Sequence, residues 1–542
     1  MDVSATHTKN TLTDVSIPVA CRSMLLVLLY WVTPAFASTA DHSEFEELKG
    51  PFASGPEVTE ACLACHNKAA DEVRDSIHGT WEYHHPKTGQ QLGKRKVINA
   101  FCGSVGSNEP RCTSCHASYD WRDMNQPPPS ATDDNKIDCL VCHDTTSTYT
   151  KWPTGAGHPL YKPKTKGGKT HMPPDLANVA QNVGMPGRHN CGACHFYGGG
   201  DDNVKHGDLS SALYEPSKEV DVHMDKDGLN FTCSKCHVAD DHKWAGSHYS
   251  LQATDREGTG KPGERRDSAS CESCHGLEPH AKTKVVGLKL NSHVDRVACV
   301  TCHIPEFAKG GVATKTYWDW SSVDKTGKKG EAIEDYVQGD GKHRHGYLKH
   351  KGIFKYGENV QPHYAWFDGQ IEYSNTERKI DPSKVVEVNM IKGSHDDPDS
   401  RIWPFKRMEG RQAYDKVHNN LVYTQVWGPT TDTALWTNFD WQKAITTAMT
   451  KMGKPYSGEY GFVDTYMYWP TTHMVAPKEN ALTCQECHAE EGRLKDLNIP
   501  YMPAAGKTKQ LDLIYLLAVL ATLAGIFGHA LIRGIAAMMR KN

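Results

Sequence analysis

The sequence has almost no cysteine left over for disulfides. Of its 18 cysteines, all but Cys21 and Cys102 fall in copies of one short motif, C-x-x-C-H, so a disulfide framework is excluded as the device that holds the chain together. Apolar residues are scarce too. With 38% hydrophobic residues and 46 glycines, an ordinary side-chain core for 542 residues is hard to build. An excess of charge of one sign is also missing: 61 Lys and Arg against 65 Asp and Glu give a net charge of −4, which leaves no basic footprint for nucleic acid. Long apolar runs occur only near the two ends, and no clean internal repeat is visible.

What the sequence does have is the motif, eight times. In C-x-x-C-H two thiols can add across the vinyl groups of a haem as thioethers, and the histidine becomes the first axial ligand of the iron. In chain order the sites are Cys62/Cys65/His66, Cys112/Cys115/His116, Cys139/Cys142/His143, Cys191/Cys194/His195, Cys233/Cys236/His237, Cys271/Cys274/His275, Cys299/Cys302/His303 and Cys484/Cys487/His488. A zinc site or chance accounts for one such motif but not for eight that all carry the histidine. Eight covalent c-type haems are therefore expected, with porphyrins standing in for the missing apolar core.

The ends place the chain. Residues 24–37, "MLLVLLYWVTPAFA", read as the core of a signal peptide with an Ala-x-Ala cleavage site at Ala35 and Ala37. Cys21 would leave with it, and Cys102 would be the one thiol of the mature chain not tied to haem. Leu513 to Ile532 carries His529 as its single ionisable side chain and is followed by Arg533, Arg540 and Lys541. That pattern predicts a C-terminal anchor with an N-out haem domain on the periplasmic face of the cytoplasmic membrane. The expected organisation is a signal peptide (1–37), a seven-haem region (38–310), a haem-free region rich in aromatics (311–483), the eighth haem and a spacer (484–510), and a transmembrane anchor (511–539).

Frequent Gly, Pro, Asn and Asp breaks predict a mainly α fold with long irregular loops wrapped around the cofactors. The haem-free region, with Trp318, Trp320, Trp366, Trp403, Trp436 and Trp469, is expected to cover the haems as helices and loops. Within it Lys342 to Lys355, "KHRHGYLKHKGIFK", is strongly basic. A solvated loop near haem propionates and a funnel for an anionic substrate both fit that composition.

A haem with two strong protein ligands passes electrons, whereas one that binds substrate needs a displaceable distal position. Candidate distal ligands are His78, His248 and His293 in similar S-x-H or S-H contexts, together with His189, His223, His280 and His473; His158, His171 and His242 compete with them. After the fourth motif "GGGDDNVKHGDL" offers Lys205 and His206 side by side. By composition His206 is the better ligand, because a lysine must first lose its proton at a cost of about 4–5 kcal/mol at pH 7. A lysine ligand would be the more displaceable of the two.

Seven early motifs and one late, an extra cysteine ten residues before the second motif, and "CGACHFYGGGDDNVKHGDL" together resemble the octahaem tetrathionate reductase family of multihaem cytochromes c. The resemblance spans roughly residues 55–500. It implies that the second haem, on Cys112, Cys115 and His116, is catalytic, with Lys205 as its distal ligand and Cys102 in its pocket. It implies an oxidoreductase that reduces a small anion, tetrathionate to thiosulfate; nitrite and hydroxylamine are alternative substrates, and a quinol-oxidising or cytochrome electron donor is expected. The C-terminal anchor departs from the soluble members. The alternative is a non-catalytic conduit between a membrane partner and periplasmic acceptors, whose signature would be eight bis-histidine haems.

Overall fold

The structure, a computed structural model, describes residues 40–540 apart from 102, 260–264, 266, 429–430, 501 and 504–508. The expected signal segment, Cys21 and Cys102 thus lie outside the described residues.

The first half is built from short elements, as its Gly and Pro content requires. Most motifs close on a single helical turn, among them Cys112–Cys115, Leu140–His143, Cys233–Cys236, Cys299–His303 and Cys484–Cys487. A turn of about three to four residues puts the two sulfurs of C-x-x-C on one face, which is the geometry a two-point attachment needs. Three helices position histidines outside those turns: α1 (Ile77–Thr80), α2 (Arg188–His195) and α3 (Val285–His293). Helix α1 starts at Ser76, whose hydroxyl accepts from the Gly79 amide.

The second half corrects the mainly α expectation. Helix accounts for 28% and strand for 17% of residues, and the strand is concentrated in the haem-free region. An eight-stranded mixed sheet is formed by β1 (Thr314–Asp319), β2 (Tyr347–Leu348), β3 (Gly352–Gly357), β4 (His363–Phe367), β5 (Val386–Glu387), β6 (Arg401–Asp415), β7 (Asn420–Leu421) and β8 (Tyr460–Pro470). Its order is β2-β3-β1-β6-β8-β5, with β4 and β7 also paired to β6. Strands β6 and β8 run antiparallel from Phe405 opposite Pro470 to Asp415 opposite Tyr460, and β1 joins β6 in parallel.

The reason lies in the side chains. In β8, "YGFVDTYMYWP", Val463, Thr465, Met467 and Trp469 are buried while Asp464, Tyr466 and Tyr468 between them are not, a period of two that suits aromatic and β-branched residues on a pleated surface. Helix α4 (Trp441–Lys451), capped by the Asp440 carboxylate, lays Ala444, Ile445, Ala448 and Met449 into the same core. That core also takes in Phe101 and Val204, so the sheet does more than cover the motif region: it holds the neighbours of Cys102 and Lys205. Helix α5 (Lys509–Met539) is the one element among the described residues long and apolar enough to cross a membrane, and none of its best apolar window is buried against protein.

Candidate functional site

Whether these residues fit haem iron can be read from their histidines. An imidazole nitrogen sits about 2 Å from a bound metal and about 1.1 Å in front of its ring centre, so two rings on opposite sides of one iron have centres about 6.2 Å apart. Seven pairs among the described residues meet that distance, and each contains one motif histidine. They are His66 with His42 (6.2 Å), His143 with His242 (6.3 Å), His195 with His78 (6.2 Å), His237 with His473 (6.2 Å), His275 with His223 (6.0 Å), His303 with His280 (6.3 Å) and His488 with His293 (6.1 Å). The Nδ1 atoms of His143, His237 and His488 face the carbonyls of Gly184, Ala245 and Pro503 at 2.8–3.0 Å, which leaves Nε2 for the metal. Burial pushes His78 down to about 4 and His195 to about 3, holding both rings in the neutral form that binds metal.

Five of the seven histidines named from sequence, His78, His223, His280, His293 and His473, thus lie across from a motif histidine. The other two do not. His189 stacks on Tyr214 with ring centres 4.6 Å apart, and His248 packs on Tyr249 and Trp469 at 3.8 and 5.0 Å. Closeness in sequence to a motif or to an S-H pattern did not override the aromatic surfaces available to them. Their places are taken by His42, which was not named, in a short 3-10 turn beginning at Asp41, and by His242, one of the competing candidates, at a left-handed position (φ 55°) in a hairpin.

The ring planes differ in a way that a spectrum reads. Interplanar angles are 17°, 31° and 15° at the first, fifth and seventh sites, against 72°, 75° and 79° at the third, fourth and eighth and 60° at the sixth. Near-parallel imidazoles give ferric haem a rhombic low-spin EPR signal, and near-perpendicular ones a large-gmax signal. The oxidised protein is expected to show both classes, with the rhombic class from the first, fifth and seventh sites; a spectrum of one class alone would contradict these orientations.

Contacts between motif cysteines give the order of the sites. Cys62 is hydrogen-bonded to Cys139, Cys115 to Cys194, Cys191 to Cys233, and Cys271 to Cys299. Cys142 is in electrostatic reach of Cys191, Cys236 of Cys274, and Cys302 of Cys487. Once bound as thioethers these sulfurs carry no proton, so the contacts matter as proximity. They make one run, 1-3-4-5-6-7-8, with the second site attached as a branch at the fourth.

The first motif sits at the open end of that run, and Cys65 is one of four exposed motif cysteines, with Cys236, Cys271 and Cys484. Cys62 lies on the helix Gly55–Leu63, which ends before Cys65 is reached. Cys65 is therefore carried past the helix end and is exposed, whereas Cys62 is half-buried. The amides of Cys65 and His66 both donate to the Cys62 carbonyl, at 3.2 and 2.9 Å. The chain thus keeps turning through the motif, and the spacing of the two sulfurs still suits a two-point attachment.

The second site is different in kind. His116 is fully buried, with Nδ1 2.5 Å from Ser118 Oγ, Nε2 2.8 Å from the Gly79 carbonyl, and the rings of Trp121 and Trp81 edge-on at 4.6 and 4.9 Å. No histidine among the described residues lies across from it at the spacing of the other seven. Cations collect here instead. Lys94 Nζ lies 4.7 Å from the centre of the Trp81 ring, and Lys205 Nζ lies 4.9 Å from that of Trp469, which also touches His206 at 4.8 Å and His248. Burial above all, then the charges of Lys205 and Lys94, pushes His248 down to about 3, and burial followed by the Lys205 charge depresses His206. Lys94 acts on His116 as well, so Lys94, His248, Lys205 and His206 run continuously from the second motif to the K-H-G-D loop. Two buried polar atoms in this group, His248 Nε2 and Trp469 Nε1, have no protein partner.

The loop is fixed from the sheet. Lys406, fully buried on β6, donates to the carbonyls of Val204 (2.9 Å) and Lys205 (3.1 Å) and to the Thr314 hydroxyl (2.7 Å). Lys406 was not anticipated from sequence; the signal was a lysine amid the apolar residues of "RIWPFKRM". Gly207, at φ +89°, passes so close that a Cβ would stand 2.8 Å from Lys406 Cδ and 2.9 Å from the Phe307 ring. Gly207→Ala is expected to cost about 2 kcal/mol through the left-handed backbone and the collision, read as a lower melting temperature of the haem-loaded protein. On the other side Phe101, next to Cys102, donates its amide to Asn99 and accepts the Trp320 indole N–H on its carbonyl. Next to the second motif, Arg111 and Lys351 lie 5.4 and 4.9 Å from the centre of the Trp436 ring and His350 meets it edge-on, so part of the basic 342–355 stretch shares a ring with the residue that precedes Cys112.

Paired imidazoles around covalent attachment turns define a multihaem c-type cytochrome, a redox protein. A crystal structure of octaheme cytochrome c from Shewanella oneidensis is 40% identical and aligns over 87% of this chain and 98% of its own, with a TM-score of 0.71. The chain belongs to that family, the octahaem cytochromes c, in agreement with the resemblance its motifs carry. A family model described as bacterial cytochrome c matches residues 315–491, the sheet region and the eighth motif. An uncharacterized protein of Archaeoglobus fulgidus is 29% identical over 178 residues, which span 31% of this chain and about half (55%) of the relative's length.

Proposed function

We propose that the chain is a membrane-anchored, periplasmic octahaem reductase of a small anion, tetrathionate before nitrite or hydroxylamine, with the second site as its catalytic centre. The observation that carries this reading is the contrast at His116: seven motif histidines face a second imidazole, whereas the neighbourhood of His116 holds two half-buried lysines, Lys94 and Lys205, with the neutral rings of His248 and His206 between them. Bound there and at the other seven motifs, haems supply one-electron carriers at fixed positions. Lys205 serves as the displaceable distal group at the second site, and Arg111, Lys351 and His350 draw the dianion toward it.

The chemistry is assigned to Cys102. Its thiolate attacks one sulfur of the central S–S bond of tetrathionate; a Cys–S bond forms, the S–S bond breaks, and thiosulfate leaves with the electron pair. Two electrons delivered through the protein then cleave the new bond, releasing a second thiosulfate and restoring the thiolate. Charge balances in both steps without a proton. Lys205, protonated when off the metal, holds the anion and favours the thiolate. Helix α5 and the eighth site beside it suit delivery from a quinol-oxidising or cytochrome donor at the membrane.

Stopped-flow reoxidation of the fully reduced protein tests the proposal. Fast, complete reoxidation by tetrathionate is expected. Reoxidation by nitrite or hydroxylamine alone would keep the site and replace the substrate, and none by any of the three would leave the conduit reading.

A further inference from the structure

We propose that the fourth site, His195 with His78, holds electrons at a higher potential than its two neighbours along the run, because the third and fifth sites are each lowered by a carboxylate on the distal ring. The inference rests on the bis-histidine reading above and adds a direction to electron flow within it.

A metal-bound imidazole that donates its other N–H to a carboxylate becomes a more basic ligand and stabilises the ferric ion, and the carboxylate charge acts in the same sense. At the fifth site His473 Nδ1 lies 3.1 Å from Asp208 Oδ2; the same oxygen accepts the amides of Thr472 (2.8 Å) and His473 (3.0 Å), and Asp208 is 1% exposed. At the third site His242 Nδ1 lies 2.8 Å from Glu72 Oε2, with that carboxylate side chain 26% exposed. The eighth and seventh sites have weaker partners, the Lys289 carbonyl on His293 (2.7 Å) and the Asn291 amide oxygen on His280 (2.9 Å). At the sixth, Asp221 is 3.9 Å from His223 Nδ1, beyond hydrogen-bond range.

The fourth site lacks this support. His78 Nδ1 is buried with no protein partner, its ring packed edge-on against Trp244 at 4.7 Å, and Lys94 places a positive charge near both His78 and His195. The fourth site touches the third, the fifth and the branch to the second. An electron resting there finds lower potentials on both sides of the run and one remaining outlet, toward His116. Asp208 comes from the K-H-G-D loop that also carries Lys205, so one segment sets this gate and presents the distal lysine.

EPR-monitored potentiometric titration of the haem-loaded protein tests the proposal, because each ferric signal disappears at its own potential. Among the signals of the third, fourth and fifth sites, the one lost first on reduction should be a large-gmax one, from the fourth. Asp208→Asn should move a rhombic signal to higher potential, Asp208→Glu should restore it, and Glu72→Gln should move a large-gmax signal up by less, since water screens that carboxylate. Unmoved potentials in Asp208→Asn and Glu72→Gln, with both signal classes present, would overturn the inference. Should Asp208→Asn fail to assemble, Glu72→Gln decides by the same criterion. A wild-type spectrum without the two classes would instead count against the bis-histidine reading.

Discussion

Cys102→Ala is expected to lower tetrathionate reduction by the haem-loaded protein on the order of a thousandfold or more, while all eight haems still take up electrons from dithionite. The size follows from the role. Without the thiolate no Cys–S bond forms, and tetrathionate has to accept electrons directly across a dianion with no covalent intermediate. The measurement is stopped-flow reoxidation of wild type and variant under the same conditions, with native-state alkylation of the wild-type thiol as an independent check that it is reactive. Full turnover in the variant would remove Cys102 from the chemistry and leave the second site to act through its distal position alone.

Lys406→Met should have the next largest effect. The side chain lies on β6, far from the K-H-G-D loop in sequence, and its ammonium donates to Val204, Lys205 and Thr314. Methionine matches the lysine in length but leaves the two buried carbonyls of Val204 and Lys205 without this donor, each worth about 1–3 kcal/mol, while the Thr314 hydroxyl keeps its bond to the Asn203 carbonyl. Relief of the desolvated amine, whose pKa burial lowers far below that of free lysine, offsets part of that loss, and a net destabilisation of about 2–4 kcal/mol is expected. The melting temperature falls, and the spectroscopic signature of Lys205 broadens or is lost because its backbone is no longer held. A variant with wild-type melting and an unchanged signature would mean that the sheet does not position the loop.

The parts of this molecule that were legible in sequence are those where chemistry is local. Each C-x-x-C-H motif carries its two sulfurs and its proximal nitrogen within one turn, so all eight could be named without a fold. What the motif does not carry is its surroundings: Cys65, Cys236, Cys271 and Cys484 are exposed while the other motif cysteines are half-buried. Distal ligands come from elsewhere in the chain and are placed by tertiary packing. His42 stands 24 residues before His66 in a three-residue turn, and His242 sits at the tip of a hairpin whose strands are Ala239–Asp240 and Lys243–Trp244. His242 was among the competing candidates named from sequence, whereas the neighbourhood of His42 has no composition that says ligand. His189 and His248 have the right chemistry and the wrong neighbours. The sheet was readable in principle, since "YGFVDTYMYWP" alternates buried and outward residues, but its aromatic density reads equally well as a covering layer until Lys406 and Trp469 are seen against the K-H-G-D loop.

In that loop His206 is the better ligand by composition, and the proposed function gives the distal position to Lys205. His206 lies edge-on to Trp469 at 4.8 Å with a pKa depressed by burial. Lys205 lies over the same ring and acts on His248. A displaceable amine beside a buried set of unpaired donors suits a substrate site, whereas a second imidazole would make one more electron carrier.

The most direct test of the account is the EPR spectrum of the oxidised haem-loaded protein, compared with those of Lys205→Ala and His206→Ala. The account predicts seven bis-histidine signals and one histidine/lysine signal in the wild type, the last lost in Lys205→Ala and kept in His206→Ala. Eight bis-histidine signals, one of them abolished by His206→Ala and none by Lys205→Ala, would contradict it and make the chain a conduit.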